Sequence, residues 1–113
     1  REVFKTSADN IVRDFITPPD LYNLIQVIID FSPINTVLDC YTKSPISKFE
    51  LLYELKNKFG LYYKIDKNID MVNATGSKIN YYSVNKVAEG IGYDPNNTSL
   101  EGVVREINFI RNA

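Results

Sequence analysis

The chain has 113 residues, 44% of them hydrophobic, a length that supplies one modest core and not two lobes with a cleft between them. Its 13 basic and 14 acidic residues leave a net charge of −1 with no Lys/Arg-rich window, which excludes nucleic acid as a partner. The longest apolar stretch, Leu24 to Phe31, is broken by Gln26 and Asp30 and falls far short of the roughly 20 residues a bilayer span needs.

The chain opens on Arg1-Glu2-Val3-Phe4-Lys5, with no leader pattern, and reads as a piece of something longer. After the turn-rich Thr6-Ser7-Ala8-Asp9-Asn10, β-favouring residues predict a strand over Val12–Thr17. Pro18-Pro19 stops any ladder and suits a helical first turn, where a missing N–H costs nothing. A helix is expected from about Pro19, with Leu21, Leu24, Ile25, Ile28 and Ile29 at helical spacing and Ser32-Pro33 closing it. Asn35–Thr42, rich in β-formers and bounded by Pro33 and Lys43-Ser44-Pro45, predicts a second strand.

Ser47 and Glu50 have the spacing of a capping box, and the helix they open runs through Leu52, Leu55 and Phe59 to a left-handed stop at Gly60. Leu61–Ile65 predicts a strand and Asp66–Asn80 a polar loop. Ser83 is placed to cap a short helix over Val84–Glu89 that ends near Gly90 or Gly92. After the turn Asp94-Pro95-Asn96-Asn97, Thr98 and Glu101 form a second capping-box match before a helix carrying Leu100, Val103, Val104, Ile107 and Ile110. The sum is a small mixed α/β unit over residues 1–113, with about four helices and short strands.

Few residues point to chemistry. Histidine is absent, which removes the commonest base near neutral pH and the commonest transition-metal ligand, so neither a catalytic residue nor a metal site is expected. Cys40, the one cysteine, lies in a strand-like run and reads as an inert packed thiol. Tyr63 with Lys67 and Tyr82 with Lys86 have Tyr-x-x-x-Lys spacing, but eight tyrosines make such matches a matter of chance. The five glycines lack dinucleotide-binding spacing, and Asp66 and Asp70 read as solvated charge. Arg13 is the exception. An arginine in a β-favouring run just before a proline-initiated helix can present a planar fork to phosphate oxygens, with Phe15 beside it to pack a base or sugar face. The plainer reading is a strand arginine paired with Asp14 or Asp20.

The run Arg13-Asp14-Phe15-Ile16-Thr17-Pro18-Pro19-Asp20-Leu21 resembles the Arg-Asp-(Phe/Tyr)-(Ile/Val)-x-x-x-Asp-(Leu/Val) stretch of the NAD-dependent epimerase/dehydratase family, the extended short-chain dehydrogenases. Pro45-Ile46-Ser47 is similar to that family's Pro-Ile-Ser segment, with Thr36–Thr42 in the place of its preceding strand. Further on, Ser83–Pro95 resembles Asp-x-Ser-Lys-Ala-x-x-x-Leu-Gly-(Tyr/Trp)-x-Pro, and Thr98-Ser99-Leu100-Glu101-Gly102 stands for (Thr/Ser)-(Ser/Thr)-Leu-Glu-Glu-Gly. The likeness covers nearly the whole chain but only the family's last third. It implies that residues 1–45 form the edge of a Rossmann-like nucleotide-binding sheet and 46–113 a substrate-binding cap. It further implies a nucleoside-diphosphate sugar as ligand, bound by Arg13, Phe15 and, in the poorly matching loop, Asn73. NAD or NADP would sit on a separate N-terminal cofactor-binding domain, the expected partner, with none in this chain. Self-association of the isolated piece and a cytoplasmic location complete the expectation. The rival expectation is a freestanding, non-catalytic binding or interaction module on the same scaffold.

Overall fold

A computed structural model describes residues 2–31, 33, 35–69 and 79–113. The chain divides into two compact units, one drawn from Arg1–Arg13 and Ile46–Tyr81, the other from Asp14–Pro45 and Tyr82–Ala113.

In the first unit, β1 (Phe4–Thr6) pairs in parallel with β4 (Tyr63–Ile65), Phe4 opposite Tyr63. A second sheet has β2 (Val12–Arg13) at its centre, antiparallel to β3 (Ile46–Ser47) and parallel to β5 (Asn80–Tyr81). Helix α2 (Lys48–Phe59) follows β3 directly and begins as its spacing predicts, the Ser47 hydroxyl accepting from the Glu50 N–H at 3.2 Å. It stops at Gly60, whose φ of 72° lies in the left-handed region that a side chain would strain. Leu52 is buried beneath α2, and Leu51, Leu55, Leu61 and Phe4 line an apolar cavity of about 340 Å³ with it. Side-chain bonds fasten the turn between β1 and β2. The Lys48 ammonium donates to the Ser7 carbonyl at 2.7 Å, Asn10 Oδ1 accepts from the Phe49 N–H at 2.9 Å, and the Ser7 hydroxyl donates to the Asp9 carboxylate. That hydroxyl, aided by the Lys48 charge and opposed by burial, holds Asp9 below the ordinary carboxylate range.

The second unit holds α1 (Pro18–Asp30), a single 3₁₀ turn (Val87–Ile91) and α3 (Ser99–Arg111). Pro18 and Pro19 occupy the first two helical positions of α1, where their lost N–H groups have no helical partner. Leu24, Tyr41, Ala88 and Tyr93 form the core, with Val27, Leu38 and Cys40 packed on it. Helix α3 carries a complete capping box: the Glu101 N–H donates to Thr98 Oγ1 at 3.1 Å, and the Thr98 N–H donates to Glu101 Oε1 at 2.9 Å. These bonds hold the Glu101 carboxyl below its ordinary value, the Thr98 backbone first. The apolar stripe of α1 is wider than this core. Tyr22 and Ile29 are 64% and 67% exposed, with Ile25 exposed between them.

The expected mixed α/β arrangement is present, with three corrections. The strand placed over Val12–Thr17 is two residues long because the backbone turns to other partners at once, the Phe15 N–H donating to Ser99 Oγ at 2.9 Å. The strand placed over Asn35–Thr42 carries no ladder among the described residues. Side chains and loop carbonyls take its polar groups instead: the Thr42 N–H donates to Asp14 Oδ2 at 2.9 Å, the Lys43 N–H to the Asn97 carbonyl at 2.9 Å, and the Tyr41 carbonyl accepts from the Tyr93 hydroxyl at 2.6 Å. The expected fourth helix is the 3₁₀ turn, leaving three α-helices among the described residues. Ser83 does not cap it. Its hydroxyl donates to Asp39 and accepts from the Asn85 N–H, and this local turn delays helical winding until Val87.

Candidate functional site

Arg13 stands on β2, the central strand of its sheet, with its side chain exposed. In register it is opposite Ile46 on one side and Tyr81 on the other. Its guanidinium carbon lies over the Tyr81 ring, 4.8 Å from the centroid. The ion pairs among the described residues join Lys48 to Asp9 and Lys58 to Glu54, and Arg13 enters neither. Asp14 and Asp20, the partners of the plainer expectation, belong to the second unit and accept hydrogen bonds within it. Asp14 accepts from the Thr42 N–H and hydroxyl and from Ser99 Oγ, the last at 2.7 Å. Asp20, fully buried, sits in the first turn of α1, where the helix dipole favours an anion, and its Oδ1 accepts from the Asn96 N–H at 3.1 Å.

Phe15 belongs to the second unit and is half-buried, its position fixed through the backbone bond to Ser99. Arg13 belongs to the first unit. Asn73, the remaining candidate, lies outside the described residues. Sequence reasoning missed Tyr81, which it left as the residue after a polar loop. The signal that reveals it is the parallel register of β2 with β5, visible only once both strands are placed.

A concavity of about 460 Å³ lies in the second unit around Tyr41, Lys86, Glu89 and Tyr93. The Lys86 ammonium rests 3.8 Å from the Tyr41 ring centroid, and the Tyr41 and Tyr93 rings meet edge to face at 5.1 Å. Burial raises the pKa of both phenols, seconded by the Glu89 charge at Tyr41 and by Cys40 at Tyr93. Both therefore stay protonated at neutral pH. The Cys40 sulfur, half-buried and 3.5 Å from the Tyr93 oxygen, packs against this pair. Charges of both signs, Lys43 and Lys86 against Glu89 and Asp94, stand around this hollow.

Neither Tyr-x-x-x-Lys match shares a helix. Tyr63 is in β4 with Lys67 in the following turn, and Lys86 only precedes the 3₁₀ turn. Among the described residues no three metal-ligating side chains cluster, and no helix is long and apolar enough to cross a membrane. Among the described glycines, Gly60 and Gly92 end helical segments, Gly90 lies within the 3₁₀ turn and Gly102 lies inside α3.

No family model, curated protein or solved structure matches the chain.

Proposed function

We propose that the chain is the substrate-binding, C-terminal segment of a nucleoside-diphosphate-sugar epimerase, dehydratase or reductase, acting in the cytoplasm. The observation that carries the reading is Arg13, an exposed guanidinium resting on an aromatic ring and engaged by no ion pair among the described residues. A planar fork with its charge uncancelled is suited to two oxygens of a diphosphate. The order of the four motif segments, from Arg13-Asp14-Phe15 to Thr98-Ser99-Leu100-Glu101-Gly102, supports the family assignment.

Catalysis belongs to an upstream cofactor domain that carries NAD or NADP together with the reactive Tyr and Lys. The apolar side chains left exposed on α1 and the unladdered Asn35–Thr42 segment are surfaces such a domain would cover. Titration of the chain with UDP-, GDP-, CDP- and dTDP-linked sugars tests the proposal. Saturable binding abolished by Arg13→Ala is expected. Binding that ignores Arg13, or an encoding gene without a glycine-rich strand-turn-helix upstream, defeats it in favour of a non-catalytic interaction module.

A further inference from the structure

We infer that Tyr81 is a positioning residue that aims the Arg13 guanidinium at an anion while leaving its charge intact, an inference that rests on the anion-binding role proposed above for Arg13. A surface arginine ordinarily samples many rotamers and loses that freedom when it binds. Two kinds of partner can remove the freedom beforehand. A carboxylate fixes the fork through paired hydrogen bonds but cancels its charge and occupies its N–H edge. An aromatic ring holds the plane by its face and leaves both charge and edge to a ligand.

The structure has the second arrangement. Arg13 and Tyr81 are directly opposite in the parallel pairing of β2 with β5, so their side chains leave the sheet on the same face. The guanidinium carbon is 4.8 Å from the ring centroid. Tyr81 is half-buried where Arg13 is exposed, the asymmetry of a fixed platform under a solvent-facing group. Arginine is also the cation for which the arrangement has a point. A guanidinium is a planar donor fork whose orientation matters, whereas an ammonium is a rotating point charge.

The test uses the 113-residue chain with inorganic pyrophosphate, ADP, GDP and UDP as probes, followed by calorimetry at fixed low salt. Tyr81→Phe keeps the ring and should bind within about twofold of wild type. Tyr81→Leu and Tyr81→Met remove the ring face and should each weaken binding about two- to fivefold, the range of an exposed cation–ring contact. A ligand-free readout stands beside these: the Arg13 Nε–H proton resonance should be ring-shifted in wild type and Tyr81→Phe, and return to its ordinary position in both ring-deleted variants.

If Arg13→Ala abolishes binding while both ring-deleted variants bind like wild type, the positioning role is wrong and the anion site stands. An unshifted Arg13 resonance in wild type, or loss of binding in Tyr81→Phe, also overturns it. If no probe binds, or Arg13→Ala binds normally, the role proposed for Arg13 fails, and this inference fails with it.

Discussion

Replacing Asp14 by alanine should unfasten the second unit. The carboxylate receives three hydrogen bonds, from the Thr42 backbone N–H at 2.9 Å, the Thr42 hydroxyl, and the Ser99 hydroxyl at 2.7 Å. Thr42 is 3% exposed and Ser99 is fully buried, so water cannot readily replace the lost acceptor. Each buried donor left without a partner costs about 1–3 kcal/mol. The two hydroxyls retain alternatives, since Thr42 Oγ1 lies 3.0 Å from the Ser44 carbonyl and 3.4 Å from Ser99 Oγ. The backbone N–H has no such freedom. The net loss for Asp14→Ala is therefore expected at about 3–5 kcal/mol, below the ceiling of three orphaned donors and large beside a typical domain stability of about 5–15 kcal/mol. Asp14→Asn keeps one carbonyl oxygen for the Thr42 N–H, and its loss should be roughly half as large. Urea unfolding followed by far-ultraviolet circular dichroism measures both. A loss below about 1 kcal/mol for the alanine variant, or equal losses for the two, would refute the account of Asp14 as the acceptor that organises this segment.

Gly102→Ala sets propensity against packing. Alanine gains up to about 1 kcal/mol in a helix interior, but here its Cβ would stand 2.7 Å from the Thr17 methyl, on a buried, β-branched side chain with little room to turn. A net destabilisation of about 1–2 kcal/mol in the same urea assay is expected. The α3 capping box makes stability sensitive to acid. Glu101 has a folded pKa below its ordinary 4.5, so its contribution is complete above that value and disappears as pH falls through the lowered folded one. Glu101→Gln should remove this part of the acid limb in a pH series of urea midpoints, and Thr98→Ala should cost about 1 kcal/mol at neutral pH. The exposed Tyr22, Ile25 and Ile29 on α1 should make the isolated chain self-associate, measured as a sedimentation coefficient that rises with concentration, and Ile29→Glu should suppress the rise.

What could be read from the sequence was local. Pro18-Pro19, Ser47 with Glu50, Gly60, and Thr98 with Glu101 each act within one helical turn of themselves, so their spacing alone located the helix ends. The strands were a different matter. Val12–Thr17 and Asn35–Thr42 have strand composition, but whether a ladder forms depends on where a distant partner lies, and side chains 28 to 85 residues away intervened. Ser83 shows the same limit on a smaller scale, since its cap spacing is correct but Asp39 claims the hydroxyl. At the candidate site Arg13 was visible as an arginine out of place in a strand. Its ring partner was not, because Tyr81 becomes a neighbour only through the register of β2 with β5.

The route of the backbone through the two units bears on how the chain is made. It crosses between them after residues 13, 45 and 81, so neither unit is a continuous stretch of polypeptide. The first needs residues up to Tyr81, and the second needs α3, whose Ser99 hydroxyl bonds Asp14 across 85 positions. On a ribosome that releases the N-terminus first, Asp14 therefore waits for Ser99 while 85 further residues are added, with the apolar face of α1 already made. Stop codons anywhere before α3 would leave no shortened version of the second unit, and that interval of synthesis is the period in which a chaperone would find its binding surface.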